Sequence, residues 1–80
     1  MNLAEKREIE HEVMAMSNID KISALAALRT SSPLRHNCLK TTERHVAAVR
    51  SFLTDNNVDL AKCDFEKAAA ILGITRLCRL

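Results

Sequence analysis

Eighty residues with 48% hydrophobic side chains leave room for one small domain, because a chain of this size sits near the lower edge of what a single core can stabilise. One glycine, one proline and two aromatics exclude collagenous, low-complexity and charge-driven disordered classes. The same scarcity argues against a β-sandwich or barrel, which needs turn residues at short intervals. Twelve Lys+Arg against ten Asp+Glu give no polybasic tail of the kind that drives sequence-independent nucleic-acid binding. What remains is an all-α fold: a small bundle of about four helices, forming one domain over 1–80.

The first element runs from about Asn2 to Met16, where Leu3, Ile9, Val13 and Met16 recur at helical spacing on one face. Glu5 and Glu8 lie near its amino end, where the helix dipole favours acids. Glu8, Glu10, His11 and Glu12 alternate with apolar residues and read as its wet side. Ser17 is a natural cap for a second helix, with Asp20 three residues on as in a capping box. That helix extends to about Arg29, with Ile19, Ile22, Leu25, Ala26 and Leu28 as its expected buried set. Thr30-Ser31-Ser32-Pro33 ends it, since the residue before a proline avoids helical geometry.

Leu34 to Lys40 forms a turn or a loop. Thr41 or Thr42 caps a third helix, about Glu43 to Thr54, in which Val46, Val49 and Leu53 repeat at three and four with Phe52 alongside. Asp55-Asn56-Asn57 stops it, because short polar side chains compete with the helical backbone. Asp59 or Asp64 caps the fourth helix, which buries Phe65, Ala68, Ala69, Ile71 and Leu72. Gly73, the lone glycine, stands where a left-handed helix end needs one. A short segment from Ile74 to Leu80 follows, with Thr75 as its cap.

The charged first helix carries no signal-peptide core, and no apolar run approaches the roughly 20 residues that span a bilayer. Cys38, Cys63 and Cys78 are odd in number and include no Cys-x-x-Cys pair, which fits a reduced, cytoplasmic protein without membrane attachment. A structural zinc site wants four soft ligands in paired spacings. His36, Cys38 and His45 supply three, and a fourth would have to come from Cys63, Cys78 or His11, so no metal or other cofactor is expected. Cys38 beside His36 is the only local pair for thiol catalysis, and no Gly-rich phosphate loop exists. The expectation is a non-enzymatic protein.

Arg29, Arg35, Lys40, Arg44 and Arg50, with His36 and His45, occupy a stretch whose only acid is Glu43; a solvated surface explains it most simply. The strongest local motif is Phe65-Glu66-Lys67-Ala68-Ala69-Ala70-Ile71-Leu72-Gly73-Ile74-Thr75-Arg76. It resembles the start of the helix-turn-helix in Fis-like regulators and in the carboxy-terminal domains of bacterial enhancer-binding proteins, where an Ala-Ala pair precedes Leu-Gly-Ile, a small polar residue and an arginine. The resemblance covers about a dozen residues. It implies that small alanines admit a second helix closely, that glycine makes the turn, and that Thr75, Arg76 and Arg79 touch DNA. On that reading a dimer binds DNA with Lys40, Arg44 and Arg50 on the backbone.

Family members continue for several turns beyond the arginine, whereas only about six residues follow Ile74 here, and Leu77, Cys78 and Leu80 make them apolar. The balance therefore tips toward a bacterial or phage-type regulator that binds a protein partner such as a transcription factor, as an antiactivator or adaptor. Leu77 and Leu80 are the expected contacts, together with the stripe Ile9, Val13 and Met16 on the first helix. A homodimer would bury the same stripe.

Overall fold

The computed structural model describes residues 2–29, 42–62 and 64–74. Among these lie four α-helices and no strand: α1 (Leu3–Ala15), α2 (Asn18–Arg29), α3 (Glu43–Asp55) and α4 (Phe65–Leu72), with a 3₁₀ turn at Leu60–Lys62 before α4. The all-α expectation holds, and the helix bounds fall within a residue or two of those read from the sequence. The proposed loop Leu34 to Lys40, the break at Pro33, the three cysteines and the segment Thr75 to Leu80 lie outside the described residues.

Each helix begins on a side-chain cap three residues before the amide it satisfies. Asn2 Oδ1 accepts from the Glu5 amide at 2.8 Å, and Ser17 Oγ accepts from that of Asp20 at 3.1 Å. Thr42 Oγ1 and Asp64 Oδ1 accept from His45 and Lys67, both at 3.3 Å. Each such cap stabilises its helix by about 1 kcal/mol. The choice left open between Asp59 and Asp64 has a simple resolution: Asp64 caps α4, while Asp59 accepts from Ala61 at 3.0 Å and starts the 3₁₀ turn.

Two helices end the same way. Asn57 (φ 62°) and Gly73 (φ 76°) are left-handed. The residue after each returns its amide to a carbonyl five back: Val58 to Leu53 at 3.0 Å and Ile74 to Ala69 at 2.7 Å. Asn57 and Gly73 themselves donate to Thr54 and Ala70. This is the Schellman arrangement, and it drives the following apolar residue into the core. Val58 and Ile74 are accordingly buried.

Packing centres on α3, which lies against both α1 and α2, while α4 lies against α2. Leu25, Leu53, Val13 and Val49, from α2, α3 and α1, expose nothing to solvent. Val46, Phe52, Phe65, Ala68, Ala69 and Leu72 complete the core around them. Leu3 and Ile19 depart from the expected buried sets, at 62% and 56% exposure. Leu3 sits in the first turn of α1, away from the Ile9–Val13–Met16 face. Ile19 is displaced because α2 turns Lys21, Ala24, Leu25 and Leu28 inward at spacings of three, one and three, leaving Ile19 outside.

Leu53→Ala should therefore lower the free energy of unfolding by about 2–5 kcal/mol, whereas Ile19→Ala should change it by no more than about 0.5 kcal/mol. Urea titrations followed by circular dichroism measure both, and equal losses would show that α2 packs through its other face.

Candidate functional site

Two features of the tertiary arrangement place chemistry beyond the core: the junction of α2 with α4, and a groove between α1 and α3. At the junction, Lys21 is buried, and its Nζ donates to the carbonyl of Leu72 at 3.4 Å. Eight residues along α2, the Arg29 guanidinium stands over the Phe65 ring, 5.8 Å from its centre. Lys21 thus meets the last residue of α4 and Arg29 the first, so the two helices run antiparallel. A cation at the carboxy end of α4 also complements the helix dipole. These contacts fix the orientation of the helix that opens the helix-turn-helix-like motif and of the left-handed turn at Gly73.

The groove is built from the opposite pair. Glu12 Oε1, near the end of α1, accepts from Arg44 Nε in the first turn of α3 at 2.8 Å. Ile9, one turn earlier, shares the groove with Ala47, Ala48 and Ser51, one and two turns later, so α1 and α3 are also antiparallel. The small side chains of Ala47, Ala48 and Ser51 keep the α3 wall low and leave an open space of about 190 Å³. That is below the roughly 300–1,000 Å³ of clefts that enclose small-molecule ligands, and it suits one or two side chains of a larger partner. At its end the groove meets a polar hollow of about 300 Å³ lined by Glu12, Asp20, Arg44 and His45 with Ala15 and Met16. The pair Arg44–Glu12 is the divider; with the arginine side chain 77% exposed, it contributes at most about 1 kcal/mol to stability. Two polar atoms, His45 Nδ1 and Asp55 Oδ2, are shielded from solvent without a hydrogen-bond partner.

The residues expected to meet partners divide three ways. Val13 and Met16 belong to the core and Ile9 is half-buried against it, so most of the α1 stripe packs inside the chain; Ile9 borders the groove and Met16 the polar hollow. The reason is geometric: the stripe is the one face of α1 that α3 covers. Arg50 is exposed on α3, and Arg44 is engaged by Glu12 across the groove. Lys40, Thr75, Arg76, Leu77, Arg79 and Leu80 lie outside the described residues. Glu12, read from sequence as wet helix surface, instead joins α1 to α3, and Lys21 was not expected inside at all. Among the described residues no three His, Cys, Asp or Glu side chains are placed to hold a metal ion, and no helix is long and apolar enough to cross a membrane. No protein-family model, curated protein or solved structure matches this sequence.

The 3.4 Å Lys21 contact is at the long end for a hydrogen bond, so the buried aliphatic stem should matter more than the amine. Lys21→Met should cost less than about 1 kcal/mol and Lys21→Ala about 2–3 kcal/mol in chemical denaturation, the larger loss coming from the emptied stem volume. A Cβ built on Gly73 meets nothing within 4 Å, so the loss on Gly73→Ala should be purely conformational, about 1–2 kcal/mol.

Proposed function

We propose that this protein is a small, non-enzymatic regulator that acts by binding another protein, of the adaptor or antiactivator type, with a transcription factor as its partner. The observation that carries this reading is the open groove between α1 and α3. Its walls are helical, its floor is small and apolar at Ile9, Ala47 and Ala48, and its volume accepts side chains rather than a whole small molecule. Leu3, Met14 and Ile19, all more than half exposed, add apolar surface on α1 and at the start of α2. A partner that covered such residues would gain about 25 cal/mol for each Å² of apolar surface removed from water. The transcription-factor assignment rests on the helix-turn-helix-like motif from Phe65 to Arg76, because proteins that act on regulators can share their helical surfaces.

Direct DNA binding by a dimer is the second reading, and one feature favours it: Gly73 adopts the left-handed turn the resemblance requires, and Ile74 is anchored in the core behind it.

Affinity capture from extracts of the source cell, followed by rebinding of the purified partner in calorimetry, separates the two. The protein-binding reading expects one partner at defined stoichiometry, lost on Ala47→Arg, which fills the groove from an exposed position without touching the core. Retention of labelled duplex DNA that weakens steeply with salt and disappears on Arg76→Ala would reverse the assignment.

A further inference from the structure

The groove is asymmetric in charge. Helix α1 carries Glu5, Glu8, Glu10 and Glu12 against Lys6 and Arg7, a net of −2 in a chain that is formally +2, which leaves +4 for everything else. Three of those acids fall in register: Glu5 and Glu8 precede Glu12 by seven and four residues and therefore share its edge of the helix, and of the three Glu12 lines the groove. Glu5 and Glu8 are exposed, whereas Glu12 is partly covered by Arg44. On the opposite wall Arg44, Ala48, Ser51 and Asp55 follow one another at four, three and four residues along α3. Arg44 is the only base in that row, and Glu12 already neutralises it. One turn beyond Ser51 on α3, Asp55 keeps one carboxylate oxygen out of solvent with no hydrogen-bond partner. A buried acceptor left this way costs free energy until a donor reaches it.

We infer that the groove between α1 and α3 receives a basic amphipathic helix of the protein partner. Its lysines or arginines lie along Glu5, Glu8 and Glu12, one cation reaches Asp55, and its small apolar face rests on Ile9, Ala47 and Ala48. This inference depends on the protein-binding reading and adds the chemistry of the partner. Both walls carry three-and-four spacing, which is the spacing an incoming helix presents in return. Alanines and a serine on the α3 wall let a helix axis approach to the short end of the usual 8–10 Å. The acid row repels nucleic acid and acidic peptides, so the same surface discriminates against them.

Three fluorescent, alanine-rich helical peptides test it, identical except for lysine, glutamine or glutamate at three positions along one edge. The lysine peptide should bind at least tenfold more tightly than the glutamine peptide in anisotropy titrations, and its advantage should shrink as salt is raised. The glutamate peptide should not bind. The double variant Glu5→Lys/Glu8→Lys should abolish the preference without changing the circular dichroism spectrum, because both side chains are exposed. Equal binding of the lysine and glutamine peptides, both lost on Ala47→Arg, would overturn the basic edge and leave the groove as a protein site. Binding of none of the three, with partner capture unaffected by Ala47→Arg, would remove the groove itself. Concentration-dependent dimerisation lost on Ala47→Arg would overturn the inference in favour of a second copy of the chain.

Discussion

The apolar face of α3 is the constraint from which the rest of the arrangement follows. Val46, Val49, Phe52 and Leu53 lie within two turns, and both neighbouring long helices close on them. Among the described residues the buried apolar side chains form a single cluster. Helix α1 must offer Ile9, Val13 and Met16 to that face, and α2 must offer Ala24 and Leu25. Everything polar is then sorted by what those commitments leave over. Glu12 is brought to Arg44 because Ile9 and Val13 on either side of it are held down. Lys21 goes inside because it shares a face with Ala24, Leu25 and Leu28.

Lys21 illustrates how a polar residue becomes structural. Burying its stem is favourable, and its amine finds a carbonyl at the one place in α4 where carbonyls lack helical partners, the last turn. The contact couples the start of α2 to the end of α4, while the Arg29–Phe65 pair couples the other ends. Together they hold the short helix α4, which at eight residues would be marginal without packing. The left-handed turn at Gly73 then has a fixed base, with Ile74 buried directly after it.

The groove has the opposite origin, from side chains that are small where the core needed nothing large. Ala48 closes one edge of the buried α3 face, with the exposed Ala47 and the half-buried Ser51 beside it. A leucine at any of them would have closed the space against Ile9. Glu12 lines the space, and Glu5 and Glu8 continue its edge of α1, because they are what remains of that helix once its apolar face is spent. A surface with a small apolar floor and one charged edge selects by size and by sign, and both kinds of selection act on a helix more readily than on a flat sheet edge.

Helix existence, the cap at Ser17, the stop at Asn56-Asn57 and the turn at Gly73 were legible in the sequence, and Thr42 and Asp64 were each one of two candidate caps between which the structure decides. They depend on side chains within three or four positions of the backbone groups they satisfy, so local chemistry determines them. The inward face of α2 was legible in part: of Ile19, Ile22, Leu25, Ala26 and Leu28, Leu25 is buried and Ile22 and Leu28 pack against the core, whereas Ile19 is exposed and the burial of Lys21 and Ala24 was missed. Periodicity counts a lysine as polar and so leaves Lys21 outside. Only the tertiary fold supplies the Leu72 carbonyl, fifty-one residues away, that makes burying Lys21 acceptable. The Glu12–Arg44 pair and the groove beside it are decided the same way: each wall is plain in its own helix, and the site exists only because α3 sets the two walls antiparallel and side by side.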